Sequence, residues 1–150
     1  MVQDSFIVRC SHCGTKNRVP LSRVRERAVC GKCRSVLNLN AVFPQNAIDA
    51  DDRTFDQEVI RFPGPVLVLI WARWCGHCQV LLPIVDELAR EYSGLVKFVK
   101  VDMDRSPGLA SQYQIQSVPT MLLFKNGQLL DRLLGALPKD QIISNLRKLL

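Results

Sequence analysis

At 150 residues, with 47% apolar and 23% charged side chains, the chain can form one packed domain plus a small appendage and is too apolar to stay disordered. Its longest apolar run, Val66 to Ala72, is too short to cross a bilayer, and residues 1–9 carry no long apolar stretch of a secretory signal, so a cytoplasmic protein without membrane attachment is expected. The formal charge of +6 is unevenly placed: residues 1–40 hold eight Lys/Arg against Asp4 and Glu26, and residues 41–150 hold twelve of each sign.

The first segment reads Cys10-Ser11-His12-Cys13, then sixteen residues, then Cys30-Gly31-Lys32-Cys33. Two C-x-x-C knuckles at this separation point to structural zinc, because four thiolates satisfy a tetrahedral ion. About forty residues build too little core to fold unaided, so a metal staple makes physical sense. Two disulfides are the alternative pairing. His12 reads as an exposed spacer; a Cys₃His site using it would leave one cysteine over. The basic charge here invites a nucleic-acid reading, but four bound thiolates reduce it. Phe6 is the only aromatic residue in the segment, so no stacking platform is visible. A solvated basic face, or a patch for acidic protein partners, is expected instead of nucleic-acid binding.

Residues 1–40 are therefore read as a zinc ribbon and residues 41–51 as a linker, with a short edge strand at its end near Ala47 to Ala50. Asp51 or Asp52 is expected to cap a helix over roughly Thr54 to Arg61. Pro63-Gly64-Pro65 stops it. Val66-Leu67-Val68-Leu69-Ile70 is a continuous branched apolar run, which predicts a strand buried on both faces. Trp74-Cys75-Gly76-His77-Cys78 follows, and then Leu81, Ile84, Val85 and Leu88 recur at helical spacing. Two cysteines thus stand where a buried strand hands over to a helix N-terminus. Orphan N–H groups and the helix dipole favour an anion there, and the thiolate of Cys75 is that anion. Cys78 lies one turn on, which suits reversible disulfide formation. Two cysteines three apart are also half of a metal site, but such knuckles sit on tight turns, not at a strand–helix junction.

Leu95 to Asp102 predicts a strand and Pro107 to about Tyr113 a helix with proline at its first position. Thr120 to Phe124 and Leu129 to Leu134 predict a hairpin around Lys125-Asn126-Gly127-Gln128. Pro138 to Leu149 predicts a last amphipathic helix. The order βαβαββα gives an α/β fold.

From Asp52 to Leu150 the chain resembles the thioredoxin family. The resemblance rests on Trp71-Ala72-Arg73-Trp74-Cys75-Gly76-His77-Cys78, Pro83, Val118-Pro119-Thr120, Lys125-Asn126-Gly127 and Gly135. With the ribbon in front it resembles the zinc-containing thioredoxin-2 type. The resemblance implies a central mixed sheet flanked by helices over 52–150. It implies Cys75 as nucleophile and Cys78 as buried resolving thiol, with Pro119 as a cis-proline facing the disulfide. Val118 would offer backbone to substrate, and Trp74, Gly76 and His77 would surround the sulfurs. Lys100 would lie close to the buried thiol, although its residue pattern alone reads as solvent-facing. The implied activity is protein-disulfide reduction with electron transfer from a reductase such as thioredoxin reductase. The expected partners are disulfide-containing proteins, the chain would act as a monomer, and it would need no organic cofactor.

Three departures qualify this. Leu69 stands where the family usually has a proton-relaying aspartate, so Cys78 would lose its proton to water or Lys100. His77 replaces a proline, as in protein disulfide isomerases, and when protonated would favour the thiolate and raise the reduction potential. Gln79 stands where many thioredoxins have lysine. These allow an alternative, a more oxidising oxidase- or isomerase-like variant. A second alternative makes the ribbon the functional part, as a binding module or a redox switch, with the remaining domain as scaffold.

Overall fold

The structure, a computed structural model, describes residues 5–20, 23, 27–39 and 42–150. Asn40 and Ala41, at the expected ribbon–linker boundary, lie outside the described residues, as do Asp4, Arg25 and Glu26 of the charge count.

The ribbon contains a hairpin that its sequence pattern did not announce, β1 (Ser5–Arg9) against β2 (Lys16–Pro20), antiparallel with Phe6 opposite Val19 and Val8 opposite Asn17. Phe6, Val8 and Val19 face inward, while Ile7 is exposed. The rest of the chain forms a five-stranded sheet in the order β3-β5-β4-β6-β7. Its strands are β3 (Ile48–Ala50), β4 (Pro65–Trp71), β5 (Lys97–Asp102), β6 (Thr120–Lys125) and β7 (Gln128–Leu134). β3 and β4 run parallel to β5, and β6 runs antiparallel to β4 and β7, so the sheet is mixed.

β4 explains the continuous apolar run. Val66, Val68 and Ile70 enter the core on one face, and Leu67 and Leu69 enter the core on the other. The second face is covered by α1 (Gly76–Glu91) through Leu81, Val85 and Leu88, and by α3 (Lys139–Leu146) through Ile142 and Leu146. The first face is covered by α2 (Pro107–Gln112), by a π-helical turn at Asp56–Ile60, and by the ribbon. Phe43 is buried between Phe6 and Phe62, with ring centroids 5.7 and 5.3 Å away, so an aromatic triangle ties the ribbon to the sheet domain. Lys97, almost fully buried, places Nζ 4.6 Å from the Phe62 ring centroid and pairs with Glu58 at 2.6 Å.

The helix expected over 54–61 is shorter and wider, closing with Arg61 N–H on the Asp56 carbonyl. Asp51 accepts the Arg53 and Thr54 N–H groups, at 2.9 and 3.1 Å, and so holds the turn before it. Asp52 instead reaches across the chain to the start of α2, accepting from Gly108 and Leu109 N–H at 3.0 and 2.8 Å. The last helix stops at Leu146 and ends in a tighter turn, Arg147–Leu149. The β6–β7 turn uses Asn126 and Gly127 at φ 54 and 79°. A Cβ on Gly127 would stand 2.5 Å from the Ile60 carbonyl oxygen, so only glycine fits. Among the described residues no helix is long and apolar enough to cross a membrane.

Candidate active site and metal centre

β4 ends at Trp71 and α1 begins at Gly76, with Cys75 as its N-cap in an extended conformation. The Cys75 sulfur accepts the Cys78 N–H at 3.1 Å. It therefore occupies the place where a capping oxygen would sit, among N–H groups with no helical partner. Cys75 and Cys78 are disulfide-bonded, with Cα atoms 5.3 Å apart. Exposure separates them: Cys75 is 7% accessible and Cys78 is 0%. A sulfur at the surface can meet another molecule, whereas one beneath it can only meet its neighbour.

Val118–Pro119 is cis, the geometry the resemblance implies, and the Val118 carbonyl oxygen lies 3.7 Å from the Cys75 sulfur. Ala72, Cys75 and Cys78 form a small apolar cluster against which Trp71 and Val118 pack. Trp74 is 70% exposed beside it, yet its ring is held, because Nε1 donates to Asp104 at 2.9 Å. Sequence reasoning missed Asp104, thirty residues away, since no periodicity links the two positions. Gly76 and His77, the first helical residues, are both exposed.

Lys100 occupies the same register row as Leu69, on the neighbouring strand, and lines a cavity of about 520 Å³ with Trp71, Leu82 and Asp49. Trp71 connects this cavity to the cysteine cluster, and its Nε1 is buried without a hydrogen-bond partner. Leu69 is wholly buried, so no titratable side chain lies at that point of the core.

The second constellation is in the ribbon. The sulfurs of Cys10, Cys13, Cys30 and Cys33 all lie within 4.8 Å of one another. Cys10–Cys33 and Cys13–Cys30 approach to 3.6 Å. Two thiolates on a tetrahedral zinc at ~2.3 Å would be about 3.8 Å apart, so the donor set fits the ion. The same separations exceed a disulfide bond of about 2.05 Å, and the four thiols are free. His12 is exposed and its backbone N–H, not its ring, points at the Cys10 sulfur, at 3.4 Å. The N–H groups of Cys33 and Lys32 pull the Cys30 thiol down to about 6. Hydrogen bonds from Ser35 lower Cys33 as well.

Residues 46–148 match the family model described as thioredoxin, and residues 9–35 match the model for the N-terminal part of thioredoxin 2. Thioredoxin 1 of Nostoc sp. is 48% identical over 102 residues, covering 68% of this chain and 95% of that protein. Thioredoxin 1 of Synechococcus elongatus is 50% identical over 97 residues, 65% of this chain and 91% of its own. A chloroplastic M-type thioredoxin of Triticum aestivum aligns over more of this chain, 89%, at 39% identity, and over 71% of its own length.

Proposed function

Because the chain belongs to the thioredoxin family, with the thioredoxin 2 type of zinc-ribbon segment in front, we propose that it reduces disulfides in other proteins with Cys75 as the attacking sulfur and Cys78 as the resolving one. It is a thiol–disulfide oxidoreductase. The observation that carries the role assignment is the capping geometry. Cys75 sulfur accepts a helix N–H at 3.1 Å and is the more accessible of the pair.

In the reduced protein the Cys75 thiolate attacks one sulfur of a substrate disulfide. The other substrate sulfur leaves as a thiolate, and a mixed disulfide remains. Cys78 then loses its proton and attacks the Cys75 sulfur. The second substrate thiolate leaves, and the Cys75–Cys78 disulfide has taken the two electrons' worth of oxidation. Trp74, Gly76, His77, Val118 and Pro119 surround the bond that is exchanged, and the Val118 carbonyl gives an extended substrate a backbone acceptor. Lys100 acts from the adjoining cavity as a cation near the proton route.

The four ribbon sulfurs would hold zinc, whose contribution there is structural. We place the ribbon over residues 1–40, a linker over 41–51 and the redox domain over 52–150; the thioredoxin match over 46–148 overlaps that linker. The protein acts as a monomer in the cytoplasm, where thiols stay reduced. A reductase of the thioredoxin reductase type returns its electrons. A more oxidising variant is the second reading, favoured by exposed His77 at the helix N-terminus and by apolar Leu69. Insulin-disulfide reduction tests the main reading. Cys75→Ser should abolish it and Cys78→Ser should accumulate mixed disulfides; activity surviving in Cys75→Ser would refute it.

A further inference from the structure

The two ribbon knuckles fold alike. Gly14 N–H donates to the Cys10 carbonyl at 2.9 Å, and Arg34 N–H donates to the Cys30 carbonyl at 3.0 Å. Cys10 N–H meets the Thr15 carbonyl and Cys30 N–H meets the Ser35 carbonyl, both at 2.8 Å. In each knuckle the residue after the second cysteine is left-handed, with φ +78° at Gly14 and +66° at Arg34. Glycine adopts that conformation freely, whereas arginine adopts it against steric resistance. The first knuckle shows that glycine serves the turn. The arginine in the second thus adds nothing to the turn itself, and a residue held in an unfavourable backbone conformation is a reason to look at what its side chain does.

Its side chain lines a groove of about 380 Å³ together with Arg18, Arg23 and Arg27. Val19 and Leu37, both buried, form part of the same lining. No Asp or Glu lines the groove among the described residues. Glu26, the only acid between residues 5 and 39, lies outside them. Guanidinium groups keep their charge at any physiological pH and match carboxylates with paired hydrogen bonds. Gathering Arg18, Arg27 and Arg34 on one groove, with no acid in its lining among the described residues, raises a positive potential that an anionic partner relieves. Among the described residues the lining contains no aromatic ring, so a nucleic-acid base has nothing to stack on. The apolar floor is matched to an aliphatic side chain, which a free phosphate lacks.

We propose that this groove is a docking site for an acidic segment of a protein partner. Carboxylates meet Arg18, Arg27 and Arg34, and an aliphatic side chain rests on Val19 and Leu37. The site is separate from the two cysteines that exchange disulfides, and its occupancy does not depend on their chemistry.

The test uses the full zinc-loaded chain and three fluorescein-labelled probes read by anisotropy. The first is a short peptide repeating Glu-Leu-Glu-Gly, the second carries Gln for every Glu, and the third is a single-stranded oligo-dT of the same charge. The Glu peptide should bind at least about tenfold more tightly than the Gln peptide, as expected for paired charge-assisted hydrogen bonds, and should weaken as salt rises. Arg27→Gln and Arg34→Gly should each weaken it about tenfold, the loss of one such contact. Arg34→Gly removes the backbone resistance, so its unfolding midpoint should not fall, and insulin reduction should be unchanged in both variants. Wild-type affinity in both variants, or equal binding of the Glu and Gln peptides, would overturn the proposal. Tighter binding of oligo-dT than of the Glu peptide would overturn it in favour of a nucleic-acid surface.

Discussion

Leu69→Asp places a carboxyl in the core under α1. Leu69 is 0% exposed and shares its core with Leu81 and Val85. Those residues follow Cys78 at three and seven positions, on the same face of α1. Losing the leucine's burial costs about 2–3 kcal/mol. Desolvation favours the neutral carboxyl, and keeping it protonated to near pH 7 costs about 4 kcal/mol relative to a solvated aspartate. Lys100, on the adjacent strand in the same register row, offsets part of that. A net loss of about 4 kcal/mol at pH 7 is expected, within the range of a disrupted core. The sign with pH follows from linkage. A carboxyl whose folded pKa is raised carries no penalty below about pH 4, where both states are protonated. The penalty then grows to its full size as pH rises through the folded value. The same carboxyl supplies a proton acceptor for Cys78, so resolution of a trapped mixed disulfide should quicken by at least about tenfold near neutrality. Urea unfolding at pH 4 and pH 7, together with the rate of mixed-disulfide decay, measures both effects. An unfolding gap from wild type that is the same at the two pH values would refute the claim that position 69 is dry. An unchanged decay rate would refute the reading that a carboxyl at position 69 can take the Cys78 proton.

Other consequences follow from the same structure. His77→Pro, at the second helical position where proline is tolerated, should lower the reduction potential by about 30 mV, measured by equilibration with glutathione; an unchanged potential would remove the reading that His77 favours the thiolate. Phe43→Ala, at one corner of the aromatic triangle, should cost about 3–5 kcal/mol and uncouple the ribbon from the sheet, so that chelating zinc no longer lowers the urea midpoint of tryptophan fluorescence. Lys97→Met tests a buried charge. Burial holds Lys97 below the usual lysine range, against the pull of Glu58. Between that lowered value and about 10.5 the unfolded chain holds a proton that the folded chain lacks, so wild-type stability should gain up to about 1 kcal/mol per pH unit relative to the variant in that alkaline window.

The parts of the molecule that were legible in the sequence are those in which local pattern and tertiary role coincide. Residues 66–70 read as a doubly buried strand because both faces of β4 do meet apolar layers. Asn126-Gly127 read as a hairpin turn because both residues take positive φ there. The ribbon spacing read as a metal site because four sulfurs at that interval converge. What stayed hidden depends on distant partners. Asp52 looks like a local helix cap and instead holds the start of α2. Phe6 looks like a lone aromatic in a basic segment and instead completes the first sheet face with Phe43 and Phe62. Asp104 fixes Trp74, and Arg34 repeats a glycine turn without a glycine; neither has a period or spacing that a reader of the chain could use.

The measurement closest to the central claim is alkylation of the reduced protein by iodoacetamide at neutral pH, with the modified residue located by peptide mass spectrometry and zinc left bound. A single fast modification is expected at Cys75, at the helix N-cap, with Cys78 protected beneath it. Modification of Cys78 first, or of both at the same rate, would contradict it.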